Sequence, residues 1–274
     1  MQVAKFKKII WTRYKTHKRD FPWRRTRDPY KILVSEIMLQ QTQAPRVVSK
    51  YRSFLKKFPN TKILTEAELS EVLLEWQGLG YNRRAVYLKK CAEKIESEFD
   101  GKFPKDFKLL CSLPGIGPAT AGDILAFAWN IPVPLIETNI RSVFIHFFFP
   151  DVEKDSAKVL TKISDSEILP LIEKTLDMEN PREWYWALFD YGAFLKETHN
   201  PSRRSSHHTK QSAFKGSNRE KRAKILKLIL QKPHTEKELV KALEYETNVV
   251  SKNLESMIKE GLIQKSKNLF MIKV

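Results

Sequence analysis

Residues 113–122 read LPGIGPATAG, and the reading of this stretch decides what kind of chain surrounds it. Gly115 and Gly117 permit a tight turn whose backbone no bulky side chain shields. The run ahead of it ends in CSL, and ATAGDILAFA follows it, so the pattern is helix, hairpin turn, helix. Backbone N–H groups at such a turn and helix start can bind a phosphate. Leu113, Gly115, Ile116, Gly117, Ala119 and Thr120 are the candidate backbone-gripping residues. A lone Gly-x-Gly turn reads equally well as a structural connection, and the charge of the whole chain tips the balance.

The chain has 274 residues, with 49 Lys and Arg against 32 Asp and Glu, a formal charge of +17. Such a balance favours a polyanionic partner, and nucleic acid leads. Apolar residues make up 42%, enough for ordinary cores in about two domains. The only cysteines are Cys91 and Cys111, too few for a disulfide framework, a four-cysteine zinc site or a cysteine-ligated iron–sulfur cluster. A reducing cytoplasm fits this usage, with nucleoid association in a prokaryote. The opening MQVAKFKKIIWTRYKTHKRDF has no sustained apolar core and does not read as a secretory signal. Residues 109–136 carry one charge, Asp123, but prolines and glycines break them into turn plus buried helix, so no membrane span is expected.

Working outward, residues 1–198 read as one helical unit. Tyr30, Leu33, Val34, Ile37 and Met38 form a stripe at helical spacing after the start signals Asp28 and Pro29. Val47, Val48, Tyr51 and Leu55 form a second. Further helical segments are expected at 65–76, 84–99, 107–113, 120–129, 140–148 and 156–176, with nothing that alternates long enough for a sheet. Residues 196–232 hold eleven Lys or Arg against two Glu, which reads as a flexible basic linker, placed at 199–218. The tail, 219–274, shows three amphipathic segments, Gly261 and an apolar-polar strand pair, LIQKSKNLFMI, the pattern of a winged helix. Winged helices contact either DNA or protein.

Two carboxylates draw notice. Glu36 lies in SEIMLQQT with Gln40 one turn later on the same face, so an acid and an amide able to bond a base edge can share a cleft. Glu137, in PLIETNIRSV, ends the nearly uncharged stretch, where an acid can be partly buried near a helix start. Each alone also reads as an ordinary helical acid.

The strings PYKILVSEIMLQQTQ, LEWQGLGYNRRA, LPGIGPATAGDIL and IETNIRSV, in that order and spacing, resemble a MutY-type adenine DNA glycosylase over residues 18–198. That family belongs to the helix-hairpin-helix base-excision superfamily, so the resemblance implies an all-α fold of two helical lobes, here followed by the small winged-helix domain. It also implies a flipped base between the lobes, and removal of adenine mispaired with 8-oxoguanine or guanine in double-stranded DNA. In that reading Glu36 protonates the departing adenine and Glu137 stabilises or traps the oxocarbenium-like sugar. The family normally has Asp at the second position, so this chain carries one extra methylene there. Lyase-type relatives place a lysine where Ala119 stands, which implies a monofunctional enzyme.

The resemblance assigns Gln41 to insertion into the duplex and Tyr81 to the wedge beside the opposite base. Arg19, Phe21 and Trp23 resemble base-pocket residues, with Phe21 and Trp23 equally readable as core. Asn139 and Arg141 join the candidate backbone contacts. Asp190 stands where a pocket acid is found, and Trp186 replaces the usual Gln. The family's four cluster cysteines match Lys196, Arg203, Ser206 and Ser212, so no iron–sulfur cluster is expected and no other cofactor. His207 and His208 lack Cys or acidic neighbours in sequence and read as linker residues rather than metal ligands. The family's usual C-terminal module is not recognisable. Competing readings are a glycosylase for thymine or uracil opposite guanine, and a DNA clamp that has lost catalysis. A single cleft requires only a monomer.

Overall fold

The computed structural model describes residues 1–150 and 162–273. Its helices are α1 (Val3–His17), α2 (Pro29–Leu39), α3 (Ala44–Lys57), α4 (Thr61–Glu66), α5 (Leu69–Trp76), α6 (Arg83–Phe99), α7 (Phe107–Cys111), α8 (Pro118–Trp129), α9 (Thr138–Phe148), α10 (Asp165–Thr175) and α11 (Pro181–Thr198). The tail follows as α12 (Asn218–Gln231), β1 (His234–Thr235), α13 (Glu236–Leu243), α14 (Thr247–Lys259), β2 (Ile263–Ser266) and β3 (Leu269–Ile272). Among the described residues no helix is long and apolar enough to cross a membrane. The chain divides into two compact units: residues 1–32, 105–111 and 116–210, and residues 33–104, 112–115 and 211–273.

In the first unit α11 packs on α9 and α1. Phe6, Ile10 and Tyr14 recur every four residues along α1 and are buried. The Phe6 ring meets Phe144 at 5.3 Å and Trp184 edge-on at 5.9 Å, adding geometric preference to plain burial. The packing of α11 on α9 is so tight that a Cβ on Gly192 would stand 2.3 Å from the Asn139 carbonyl oxygen. Residues 201–208, expected to run free within the basic linker, are folded instead. Pro201–Arg204 is a short 3-10 turn, Ser202 and Ser205 are buried, and Ser205 bridges Ile163. The Ile163 N–H donates to the Arg204 carbonyl at 2.8 Å, and the Ser206 N–H to the Ile163 carbonyl at 2.9 Å.

The second unit combines α3–α6 with the tail. One expected helix, 65–76, is two. The backbone is extended at Ala67, and Glu68 restarts a helix by exchanging hydrogen bonds with Glu71 in a capping box, so local capping overrides continuous periodicity. Of the helix expected at 156–176, only α10 (Asp165–Thr175) is observed, in the first unit: Ser164 caps its start, Ile163 pairs with Ser205 instead, and residues 156–161 lie outside the described set. In the tail β1, β3 and β2 form an antiparallel sheet in that spatial order, with Thr235 opposite Leu269 and Ser266 also opposite Leu269. The order of helix, short strand, two helices and a two-stranded wing is that of a winged helix, and Ile225, Leu239, Leu254 and Phe270 lie in its core. The sequence pattern carried no sign of the two-residue strand β1.

Candidate functional site

The hairpin turn fixes its own glycine. Gly115 has φ +80°, and a Cβ there would stand 2.8 Å from the Tyr87 Cβ, so both backbone and space require glycine. Gly117 caps α8 without a side-chain bond, which leaves the helix start uncovered by any capping side chain. Leu113, Ile116 and Thr120 are buried and anchor the turn to the core. Gly115 and Gly117 are exposed, and Ala119 is half-buried.

Glu36 is half-buried on the last full turn of α2, with the Ser35 hydroxyl 3.5 Å from its Oε1. Gln40 follows one turn on, its N–H donating to the Glu36 carbonyl at 3.2 Å. The helix then ends in carbonyls that need donors. Arg84, a residue on α6 that sequence reasoning passed over, supplies them. Its guanidinium donates to the carbonyls of Ile37 (2.8 Å), Met38 (3.0 Å) and Gln40 (2.6 Å). The same group donates to Leu79 (3.2 Å) and Gly80 (3.0 Å) in the following loop. Burial pushes its pKa down to about 10, which leaves it charged at neutral pH, where a cation at a helix C-terminus is favoured. One side chain thus joins the segment that carries Gln41 to the segment that carries Tyr81. Both these residues adopt left-handed backbone, φ 55° and 47°, a costly conformation for non-glycine side chains.

Glu137 is the N-cap of α9. Its Oε1 accepts the backbone N–H of Asn139 (2.7 Å) and Ile140 (3.0 Å), and its Oε2 lies 3.3 Å from the Asn139 side-chain amide. Burial pushes its carboxyl above the usual carboxylate range, against these bonds and the charge of Arg141, which pull it down. Arg141 is itself held by Asp165 through two parallel bonds of 2.7 Å, with His207 Nε2 3.5 Å from the same carboxylate. Asn139 and Arg141, expected at the DNA backbone, are therefore turned to Glu137 and Asp165. His207 also finds the acidic neighbour that its sequence surroundings lacked.

Arg19 and Asp190 are brought together, with Arg24 as a third member that sequence reasoning missed. Asp190 Oδ1 accepts Arg19 Nε at 2.6 Å and Arg24 Nη2 at 2.7 Å. Burial opposes ionisation of Asp190, but the bonds and charges of Arg24 and Arg19 outweigh it and hold its carboxyl below the usual range. Phe21 stacks on buried Trp23 at 4.8 Å with rings 9° from parallel. Trp186 is buried, with the Arg182 guanidinium 4.6 Å from its ring centre. These contacts make the cluster a rigid wall, with Phe21 its half-buried aromatic face.

The four positions that match cluster cysteines, Lys196, Arg203, Ser206 and Ser212, offer ammonium, guanidinium and hydroxyl groups, none of which ligates iron in a cluster. Cys91 is buried on α6 with its thiol pushed up to about 12 by desolvation, so it does not supply a thiolate either. This donor set does not fit an iron–sulfur cluster. Among the described residues no group of three or more His, Cys, Asp and Glu side chains is placed to hold a metal ion.

Residues 34–166 match the HhH-GPD superfamily of base excision DNA repair proteins. The chain is 35% identical over 184 residues to an adenine DNA glycosylase of Buchnera aphidicola, covering 67% of this chain and 50% of that protein. It is 31% identical over 276 residues to an adenine DNA glycosylase of Mycobacterium tuberculosis, covering 94% of this chain and 89% of the relative. A solved thermostable thymine-DNA glycosylase superposes with a TM-score of 0.62 at 26% identity, over 75% of this chain and 95% of that one. The chain spans about half the length of the Buchnera relatives it matches.

Proposed function

Since this chain belongs to the adenine DNA glycosylases of the HhH-GPD base-excision superfamily, we propose that it removes adenine mispaired with 8-oxoguanine or guanine in duplex DNA. Glu137 carries the reading: a desolvated carboxylate, capped by two backbone N–H groups and flanked by a clamped arginine, is suited to steady positive charge on a sugar. Its extra methylene is accommodated by the cap, because the longer side chain folds back onto the amides two and three residues ahead.

In this reading a flipped adenine takes a proton from Glu36 as its N-glycosidic bond breaks, and the bonding electron pair leaves with the base. The sugar passes through an oxocarbenium-like state beside Glu137, and water completes the exchange. Ala119 offers no amine, so the product is an intact strand with an abasic site. No step passes through a metal or cluster. A monomer suffices. A second reading, thymine or uracil opposite guanine, draws on Trp186, which fills space where the family has an amide.

The test incubates the protein with labelled duplexes containing A opposite 8-oxoguanine, A opposite G, T opposite G and U opposite G, then reveals abasic sites with hot alkali. Alkali-dependent cleavage at adenine, lost in Glu36→Gln, is the expected result. Cleavage confined to thymine or uracil supports the second reading. Salt-sensitive binding with no cleavage of any duplex refutes both.

A further inference from the structure

We propose that the winged-helix domain binds duplex DNA through α12 rather than α14, with one nucleotide of the duplex entering a cationic cavity that α12 shares with Gln41 and Tyr81. The inference rests on the DNA-repair reading for its ligand, but its geometry is independent of which base is removed. A cavity of about 540 Å³ lies between these elements, lined on one side by Gln41, Arg46 and Tyr81 and on the other by Arg219, Lys224 and Lys227 of α12. That volume is within the range of sites that take one small ligand, here about one nucleotide.

Two contacts tie the walls together. The Gln211 side-chain amide donates to the Tyr81 hydroxyl at 2.7 Å, and the Arg219 guanidinium lies 5.3 Å from the Tyr81 ring centre. The residue that the resemblance assigns to the wedge beside the opposite base is therefore in contact with the start of the winged-helix domain. Glu220 is the acid among the cavity's lining residues, and it is engaged by Lys224 (3.1 Å) and the Gly216 N–H (2.7 Å). The lining thus faces the cavity with excess positive charge.

The rest of the domain points the same way. The α12 segment NREKRAKILKLILQ holds five cations, two of them ion-paired (Arg222 with Glu260, Lys224 with Glu220), against one acid, whereas TNVVSKNLESMIK of α14 holds two lysines and one glutamate. The polar residue Asn253 of α14 is buried, donating to the Val249 carbonyl at 2.8 Å, and Ser256 is occupied by Arg222 at 2.9 Å. What α14 exposes is a sparse and nearly balanced face. Phosphate neutralisation dominates DNA affinity, so the face with the larger uncompensated charge carries the larger share of binding.

The experiment measures the dissociation constant of the full chain for a mismatched duplex at several KCl concentrations. Lys224→Ala with Lys227→Ala is compared with Lys252→Ala and Lys259→Ala on α14, all four being exposed. Each lost phosphate contact reduces the salt slope by about 0.9, so the α12 pair is expected to lower it by about 2 and to weaken binding by about 10-fold or more at moderate salt. The α14 pair is expected to leave both unchanged. Equal losses from both pairs, a loss from α14 alone, or no loss from either overturns the proposal.

A second measurement avoids dependence on variant folding: an iron chelate tethered at Lys227→Cys is expected to cut the bound duplex, and one tethered at Lys252→Cys is not. Cutting from position 252 alone overturns the proposal. Base removal is assayed on the same duplexes. Salt-sensitive binding through α12 with no base removed refutes the proposed function and leaves this inference standing. Adenine removal with an unchanged α12 slope refutes this inference alone.

Discussion

The Arg84 knot and the Glu137 cap solve opposite problems with the same physics. At the end of α2 a buried cation collects carbonyl oxygens, the negative end of a helix. At the start of α9 a half-buried carboxylate collects N–H groups, the positive end. The two differ in what compensates the charge. Arg84 is held by neutral partners, the carbonyls, the Thr42 hydroxyl at 3.3 Å and the ring faces of Trp76 and Tyr81, so its charge is kept by the number of its contacts. Glu137 has few bonds but a guanidinium one turn away, itself clamped by Asp165. The contrast teaches that a buried charge can be kept either by many weak partners or by a short chain of strong ones, and the two should fail differently.

Arg84→Met is expected to give the largest effect. It removes the guanidinium donor from six carbonyls, costs about 3 kcal/mol or more, and unfixes Gln41 and Tyr81 together, so thermal melting should drop and base removal should vanish. A protein that melts normally and keeps full activity would dissolve the idea of a knot. Gly192→Ala attacks the other side: a Cβ at 2.3 Å from the Asn139 carbonyl must push α11 off the amides that hold Glu137, at about 2 kcal/mol. Here the expected signature is an activity loss larger than the loss of duplex affinity.

Asp165→Asn tests the short chain. The pair is mostly buried, and removing its charge should cost about 1 kcal/mol while slowing single-turnover base removal, with Asp165→Glu restoring part of the rate. An unchanged rate would mean that Arg141 holds its place unaided. The raised pKa of Glu137 adds a sign. Folding favours its protonated form, so its contribution to stability declines as pH rises from the unfolded carboxyl value through the folded one. The role proposed for Glu137 needs the ionised form, so on that proposal the acidic limb of the rate profile lies above the ordinary value of about 4.3 for Glu, and Glu137→Gln abolishes base removal and flattens the stability decline. Least affected should be His207→Ala, since that ring is largely exposed and 3.5 Å from Asp165, and its melting temperature should match the unmodified protein.

The sequence showed the hairpin turn and both carboxylates because glycine spacing and an acid within an apolar run are local signals. Arg84 was invisible, because in RRAVYLKK it reads like any helical arginine and its carbonyl partners lie up to 47 residues away. Asp165 and Arg24 were missed for the same reason: each acts through a partner distant in the chain. The basic stretch misled because composition reports charge, whereas residues 201–208 are fixed by backbone pairing to Ile163, which composition does not encode.

Left-handed backbone at Gln41 and Tyr81 carries an evolutionary consequence. A selection that rewarded folding alone would drive Gln41 to glycine, since a side chain there forgoes about 1 kcal/mol, whereas Tyr81 recovers part of that strain through Gln211 and Arg219. Gln41→Gly should therefore yield a protein that melts higher and, on the insertion role proposed for Gln41, loses base removal. Random mutagenesis screened only for thermostability would enrich such variants and erase the proposed activity, which makes Gln41 the position to hold fixed when the chain is engineered for heat.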